Sequence, residues 1–168
     1  MGPLGLEVGQ KARRTQTVTA HEVELYAQIT GDRNPLHFDA DFAARTRFGR
    51  LVAQGGVAAG MLNALVAMDL PGPGTVFMSQ SLKYLAPTYL GDTVTAEIEV
   101  LALKADKPVC QLRATITNQD GTVLLEGSAG PTRCARPDRR AADHPRLRNS
   151  SHAPSTARKT STAPLKLR

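Results

Sequence analysis

Between Thr93 and Thr117 the chain alternates apolar and polar side chains with a period of two. Val94, Ala96, Ile98 and Val100 fall on one side, and Thr95, Glu97 and Glu99 on the other. Cys110, Leu112, Ala114 and Ile116 then alternate with Gln111, Arg113, Thr115 and Thr117. A period of two predicts strands with one buried face and one wet face, as antiparallel sheets have. The stretch NQDG at 118–121 contains Asp-Gly, a hairpin signal, and TVLLEGSAG after it predicts a last strand. Upstream, TVFMSQSLKYLAP from Thr75 also reads as strand, and residues 12–18 alternate weakly.

The period changes before Thr75. Thr19 and Glu22, three residues apart, form a capping box ahead of Val23, Tyr26 and Ala27, which repeat at helical spacing. Gly31 stands where a helix C-terminal glycine belongs, so a helix is predicted over 20–30. A short second helix is predicted over 39–46, with Asp39 as its N-cap. Residues 55–70, GGVAAGMLNALVAMDL, are apolar nearly all the way round, which predicts a helix buried on most sides. LPGPG at 70–74 ends it. One buried helix, smaller helices before it and an antiparallel sheet make an α+β domain.

Charge divides the chain. Residues 1–132 carry 11 Lys and Arg against 13 Asp and Glu, a net of −2. Residues 133–168 carry 10 against 2, a net of +8, so the basic character belongs to the tail. That tail is rich in Pro, Ser, Thr, Ala and Arg and lacks the apolar surface that would offset its ordering entropy. The expected organisation is a domain over 1–135 and a disordered basic tail over 136–168. A polycation of this kind makes nonspecific contacts with phosphate-rich partners, but it has no aromatic residue for base stacking. Nucleic acid is therefore not an expected specific partner. No apolar run approaches the roughly 20 residues that cross a membrane, and the first ten residues do not form a secretory signal. Cys110 and Cys134 make neither a disulfide framework nor a zinc cluster. A cytoplasmic location is expected.

Candidate chemistry gathers in GDRNPLHFD, residues 31–39. Asp32 and His37 are side chains of the acid–base type. They are equally ordinary turn residues, and Asp32 suits an Asx turn after a helix. Asn34 can orient the loop and Pro35 stiffens it. Gly55 and Gly56, at the start of the long helix, offer backbone N–H groups and the positive end of a helix dipole. They also suit close helix–sheet packing. His21, His144 and His152 have no such setting.

These residues carry a resemblance. GDRNPLHFDADFA, the small-residue helix after Gly55, and LPGPGTVFMSQSLKYLAPTYLGDTVTAEIEV are similar to the MaoC-like (R)-specific enoyl-CoA hydratases, over roughly residues 10–132. The resemblance implies the hot-dog fold, an antiparallel sheet wrapped around a central α-helix, and a homodimer in which two sheets join. It implies reversible addition of water to trans-2-enoyl-CoA, giving (R)-3-hydroxyacyl-CoA, in fatty acid degradation or polyhydroxyalkanoate supply. Asp32 and His37 would activate the water, Gly55 and Gly56 would bind the thioester oxygen, and neither a metal nor an organic cofactor would be needed. Two departures stand out. The family usually has His-Gly before the central helix, where this chain has Gln54-Gly55. Some members have a serine where this chain has Asn63. Both changes bear on the size and shape of the acyl group.

Two rivals follow. One is a dehydratase for a branched or dicarboxylic acyl-CoA, suggested by Gln54 and Asn63. The other is a non-catalytic acyl-thioester-binding module, since one fold hosts many functions.

Overall fold

The computed structural model describes residues 5–134. The predicted tail, 136–168, lies outside the described residues. In chain order the elements are β1 (Lys11–Thr17), α1 (Ala20–Thr30), α2 (Pro35–Phe38), α3 (Ala40–Ala44) and α4 (Gly55–Met68). The strands β2 (Thr75–Phe77), β3 (Gln80–Tyr84), β4 (Thr93–Leu103), β5 (Val109–Thr117) and β6 (Val123–Cys134) follow.

The strands make one antiparallel sheet in the order β1-β4-β5-β6-β2, with β3 also paired to β6. The alternation read from the sequence sets which face is covered. Val94, Ala96, Ile98 and Val100 of β4 and Leu112 and Ile116 of β5 are at most 1% exposed. They pack with Ala58, Leu62, Leu65 and Val66 of α4. Burying side chains of the size of Leu62 and Leu65 stabilises by about 1.5–3 kcal/mol each. On β4 the alternate positions Glu97 and Glu99 meet Lys11 of β1, and Glu97 also meets Arg13. Threonine hydroxyls pair across the same two strands at Thr15–Thr95, 2.9 Å, and Thr17–Thr93, 3.0 Å. Cross-strand pairs of this kind fix register.

Helix α1 forms as its ends predict. The Thr19 hydroxyl accepts from the His21 N–H at 3.2 Å, and the Glu22 carboxylate accepts from the Thr19 N–H at 2.8 Å. Gly31 closes the helix with φ 78°, and its N–H donates to the Ala27 carbonyl at 2.8 Å. Asp39 caps α3 by accepting from the Phe42 N–H at 2.9 Å.

Three local expectations change. Helix α4 is buried along one face only, and Gly55, Gly60, Asn63 and Met68 are exposed. One sheet can cover only one side of a helix, whatever the helix's composition. The segment from Thr75 is two strands rather than one, broken at Met78 and Ser79. Both lie along the same edge of β6. Finally, the loop after α1 contains the single turn α2. Asn34 and Pro35, residues that signal a turn, serve here as N-cap and first helical residue.

Candidate active site

The site begins where α1 ends. With Gly31 in the left-handed region, the chain reverses and Asp32 folds back on its own loop. One Asp32 carboxylate oxygen, Oδ1, accepts from the Asn34 N–H at 3.2 Å. The Asn34 Oδ1 accepts from the Leu36 N–H at 3.0 Å, which caps α2. Two short Asx contacts in sequence therefore set the path of residues 32–36. His37 follows in the last turn of α2, with its ring 11% exposed.

The ring is held by the backbone. His37 Nδ1 lies 2.7 Å from the Val52 carbonyl oxygen. A carbonyl only accepts, so Nδ1 carries the hydrogen. In the neutral ring Nε2 is then bare, a lone pair available as a base. Nε2 faces Asp32 Oδ2 at 3.7 Å. That is too long for a direct hydrogen bond. It suits a single water sitting to one side and donating to both. The Asp32 side chain is 44% exposed, so the pair opens to solvent on the carboxylate side.

Residues 52–55 tie the pieces together. The Val52 N–H donates to the Leu36 carbonyl at 3.2 Å and the Ala53 N–H to the Thr88 carbonyl at 2.8 Å, which fixes this segment against α2 and the 88–89 stretch. Gln54 is 2% exposed, and its Nε2 donates to the carbonyls of Val23 and Asp32, each at 3.2 Å. Immediately after it, α4 begins. The N–H groups of Gly55 and Gly56 occupy its first two positions, where no carbonyl within the helix can accept them. Gly55 is exposed, so this helix start is open to a ligand.

Both glycines also lie against tyrosine side chains. A Cβ on Gly55 would stand 2.8 Å from a Tyr84 ring carbon, and one on Gly56 would stand 1.9 Å from the Tyr26 hydroxyl oxygen. The packing and ligand-facing readings of this pair are therefore compatible.

Of the residues singled out in the sequence, Asp32, Asn34, His37 and Gln54 are brought together, with Gly55 and Gly56 directly following. Asn63 is not brought to them. It lies exposed on α4, eight residues on, which is about 12 Å along a helix. Sequence reasoning missed Val52, because a backbone carbonyl has no side-chain signature. It also missed Tyr26 and Tyr84 as neighbours of the glycines, since Tyr26 reads as one more apolar helix position. Among the described residues no group of three or more His, Cys, Asp or Glu side chains is placed to hold a metal ion. A cleft of about 510 Å³ lies elsewhere, lined by Ser79, Ser81, Lys104, Gln111 and Ser128 among others, and touches neither Asp32 nor His37.

Known proteins share this arrangement of sequence and fold. The family model described as "MaoC like domain" matches residues 5–122. The chain is 43% identical over 129 residues to an (R)-specific enoyl-CoA hydratase of Aeromonas caviae, covering 77% of this chain and 96% of that one. It is 40% identical over 124 residues to a 3-hydroxybutyryl-CoA dehydratase of Methylorubrum extorquens, covering 74% and 78%. Among solved structures, the (R)-hydratase from A. caviae involved in polyhydroxyalkanoate biosynthesis superposes with a TM-score of 0.75 at 41% identity, over 78% of this chain and 98% of that one. The six-stranded antiparallel sheet packed on α4 is the hot-dog fold, and the chain belongs to the MaoC-like dehydratase family.

Proposed function

We propose that the protein is an (R)-specific enoyl-CoA hydratase, a hydro-lyase adding water reversibly to trans-2-enoyl-CoA. The observation that carries this reading is the facing of His37 Nε2 and Asp32 Oδ2 at 3.7 Å, with Nδ1 committed to the Val52 carbonyl. The relatives' names support the same reaction class.

A water between the two groups donates one hydrogen to each. As its oxygen attacks the β-carbon, one proton passes to this pair. The electron pair of the C=C bond moves toward the thioester oxygen, which becomes negative. The N–H groups of Gly55 and Gly56 stabilise that charge, and a donor so placed is worth about 3 kcal/mol in other enzymes. The proton then returns from the pair to the α-carbon, and the thioester carbonyl re-forms. One water supplies both added groups, so they arrive on one face of the double bond; with the face that relatives named (R)-specific use turned to the pair, the product is the (R)-alcohol. Asn34 keeps the loop in shape by capping α2. The test is turnover of trans-2-enoyl-CoA by the wild type and by Asp32→Asn, with the chirality of the product determined.

Exposed apolar side chains support a homodimer. Met68, Val76, Met78 and Tyr84 are each more than half exposed, and they lie at the end of α4 and along β2 and β3. Among the described residues β3 pairs with β6 alone, so its other edge is available to a second chain. The apolar sides of α4 left bare in one protomer would then be covered, and an acyl chain would have a lined pocket. No helix among the described residues is long and apolar enough to cross a membrane. An acyl-CoA substrate agrees with a cytoplasmic enzyme, its hydratase unit being residues 1–135.

A further inference from the structure

Gln54 carries an unusual imbalance. Its Nε2 uses both hydrogens, on Val23 O and Asp32 O at 3.2 Å each, while its Oε1 is buried and has no partner among the described residues. Exchanging the two ends of the amide would set oxygen against two carbonyl oxygens, so the orientation is decided by its neighbours. A buried polar atom without a partner costs stability and calls for an explanation. The explanation lies in what the other end holds. The Asp32 carbonyl belongs to the residue whose carboxylate faces His37. Val52, two residues before Gln54, holds the His37 ring. Gly55, directly after it, begins α4. One four-residue segment thus touches the carboxylate residue, the imidazole and the helix start.

We propose that Gln54 is a positioning residue, holding the Asp32 backbone so that its carboxylate meets His37 across the space of one water. This rests on the hydratase reading, and deepens it by assigning a residue that acts through Asp32. The link through Val23 anchors Asp32 to the interior, since Val23 is 1% exposed. The amide has no charge to lose, so it holds the loop at any pH at which the protein folds.

The experiment compares the wild type with Gln54→Met and Gln54→His in the full-length protein. Methionine has similar volume and no donor, and histidine keeps a ring N–H. Steady-state rates with trans-2-butenoyl-CoA are read beside amide hydrogen exchange. Small misplacements of reacting groups cost on the order of 100-fold, so Gln54→Met is expected to lower kcat by about 10- to 100-fold and to change KM by less than about threefold. Gln54→His is expected to lose less. Exchange should quicken at residues 32–34 while β4 and β5 stay protected as in the wild type. An unchanged kcat overturns the proposal. So does a loss of kcat in step with lost protection across β4 and β5, which marks a merely structural residue. If the wild type turns over neither trans-2-butenoyl-CoA nor longer or carboxylated enoyl-CoAs, the hydratase reading fails, and exchange decides alone. Loosening confined to 32–34 then supports the positioning role, and unaltered exchange there overturns it.

Discussion

His37 Nδ1 stands 2.7 Å from the carbonyl oxygen of Val52, and this contact decides that the bare nitrogen of the ring faces Asp32. The two residues are 15 apart in sequence and belong to different segments. Their meeting depends on α2 and the 52–54 stretch being held side by side, which the Val52 N–H bond to Leu36 accomplishes.

The glycines at the start of α4 give a prediction about space. The Tyr26 hydroxyl occupies the position of a Gly56 Cβ, at 1.9 Å. Gly56→Ala is expected to destabilise the fold by about 1–3 kcal/mol through overpacking. In a Tyr26→Ala background the same substitution should cost much less. Urea unfolding of the four proteins measures the coupling. Equal costs in both backgrounds would remove the tyrosine from the account.

Much of this site was legible in the sequence, and the parts that were not share a cause. The Thr19–Glu22 box and Gly31 announce both ends of α1 because capping depends on neighbours in sequence. The alternation in β4 and β5 announces the buried face because a strand's period is two. Asp32, Asn34 and His37 announce themselves as a cluster within six residues. By contrast, the Val52 carbonyl is visible only once α2 and the 52–54 stretch are brought side by side. The exposed side of α4 was misjudged for a related reason: composition shows that a face is apolar, not what covers it. The turn α2 was hidden because Asn34 and Pro35 serve loops and helix starts alike.

A second prediction concerns those uncovered surfaces. Tyr84 is 56% exposed on β3 and Met68 59% exposed at the end of α4. Tyr84→Glu combined with Met68→Glu is expected to convert a dimer to a monomer, as measured by light scattering. In a protein that is monomeric throughout, the variant would leave the mass unchanged.

A third prediction follows from the capping box. The Thr19 hydroxyl and then its backbone N–H hold the Glu22 carboxyl below its ordinary value of 4.5. A folded-state pKa lowered in this way contributes stability that is present above the unfolded value and lost as pH falls through the folded one. The stability difference between the wild type and Glu22→Ala should thus hold at neutral pH and shrink below about pH 4.5. Unfolding titrations at several pH values check this. A difference independent of pH would mean that the carboxylate charge is not what α1 uses.

The most direct measurement is the loss of enoyl thioester absorbance with trans-2-butenoyl-CoA, for the wild type beside Asp32→Asn, with the chirality of the alcohol determined. Asparagine keeps an Oδ1 that accepts from the Asn34 N–H, so the turn survives while the carboxylate is lost. On the hydratase reading the wild type gives (R)-3-hydroxybutyryl-CoA, and the variant is slower by about 10²- to 10⁴-fold. An (S)-product, or a variant as fast as the wild type, would contradict it.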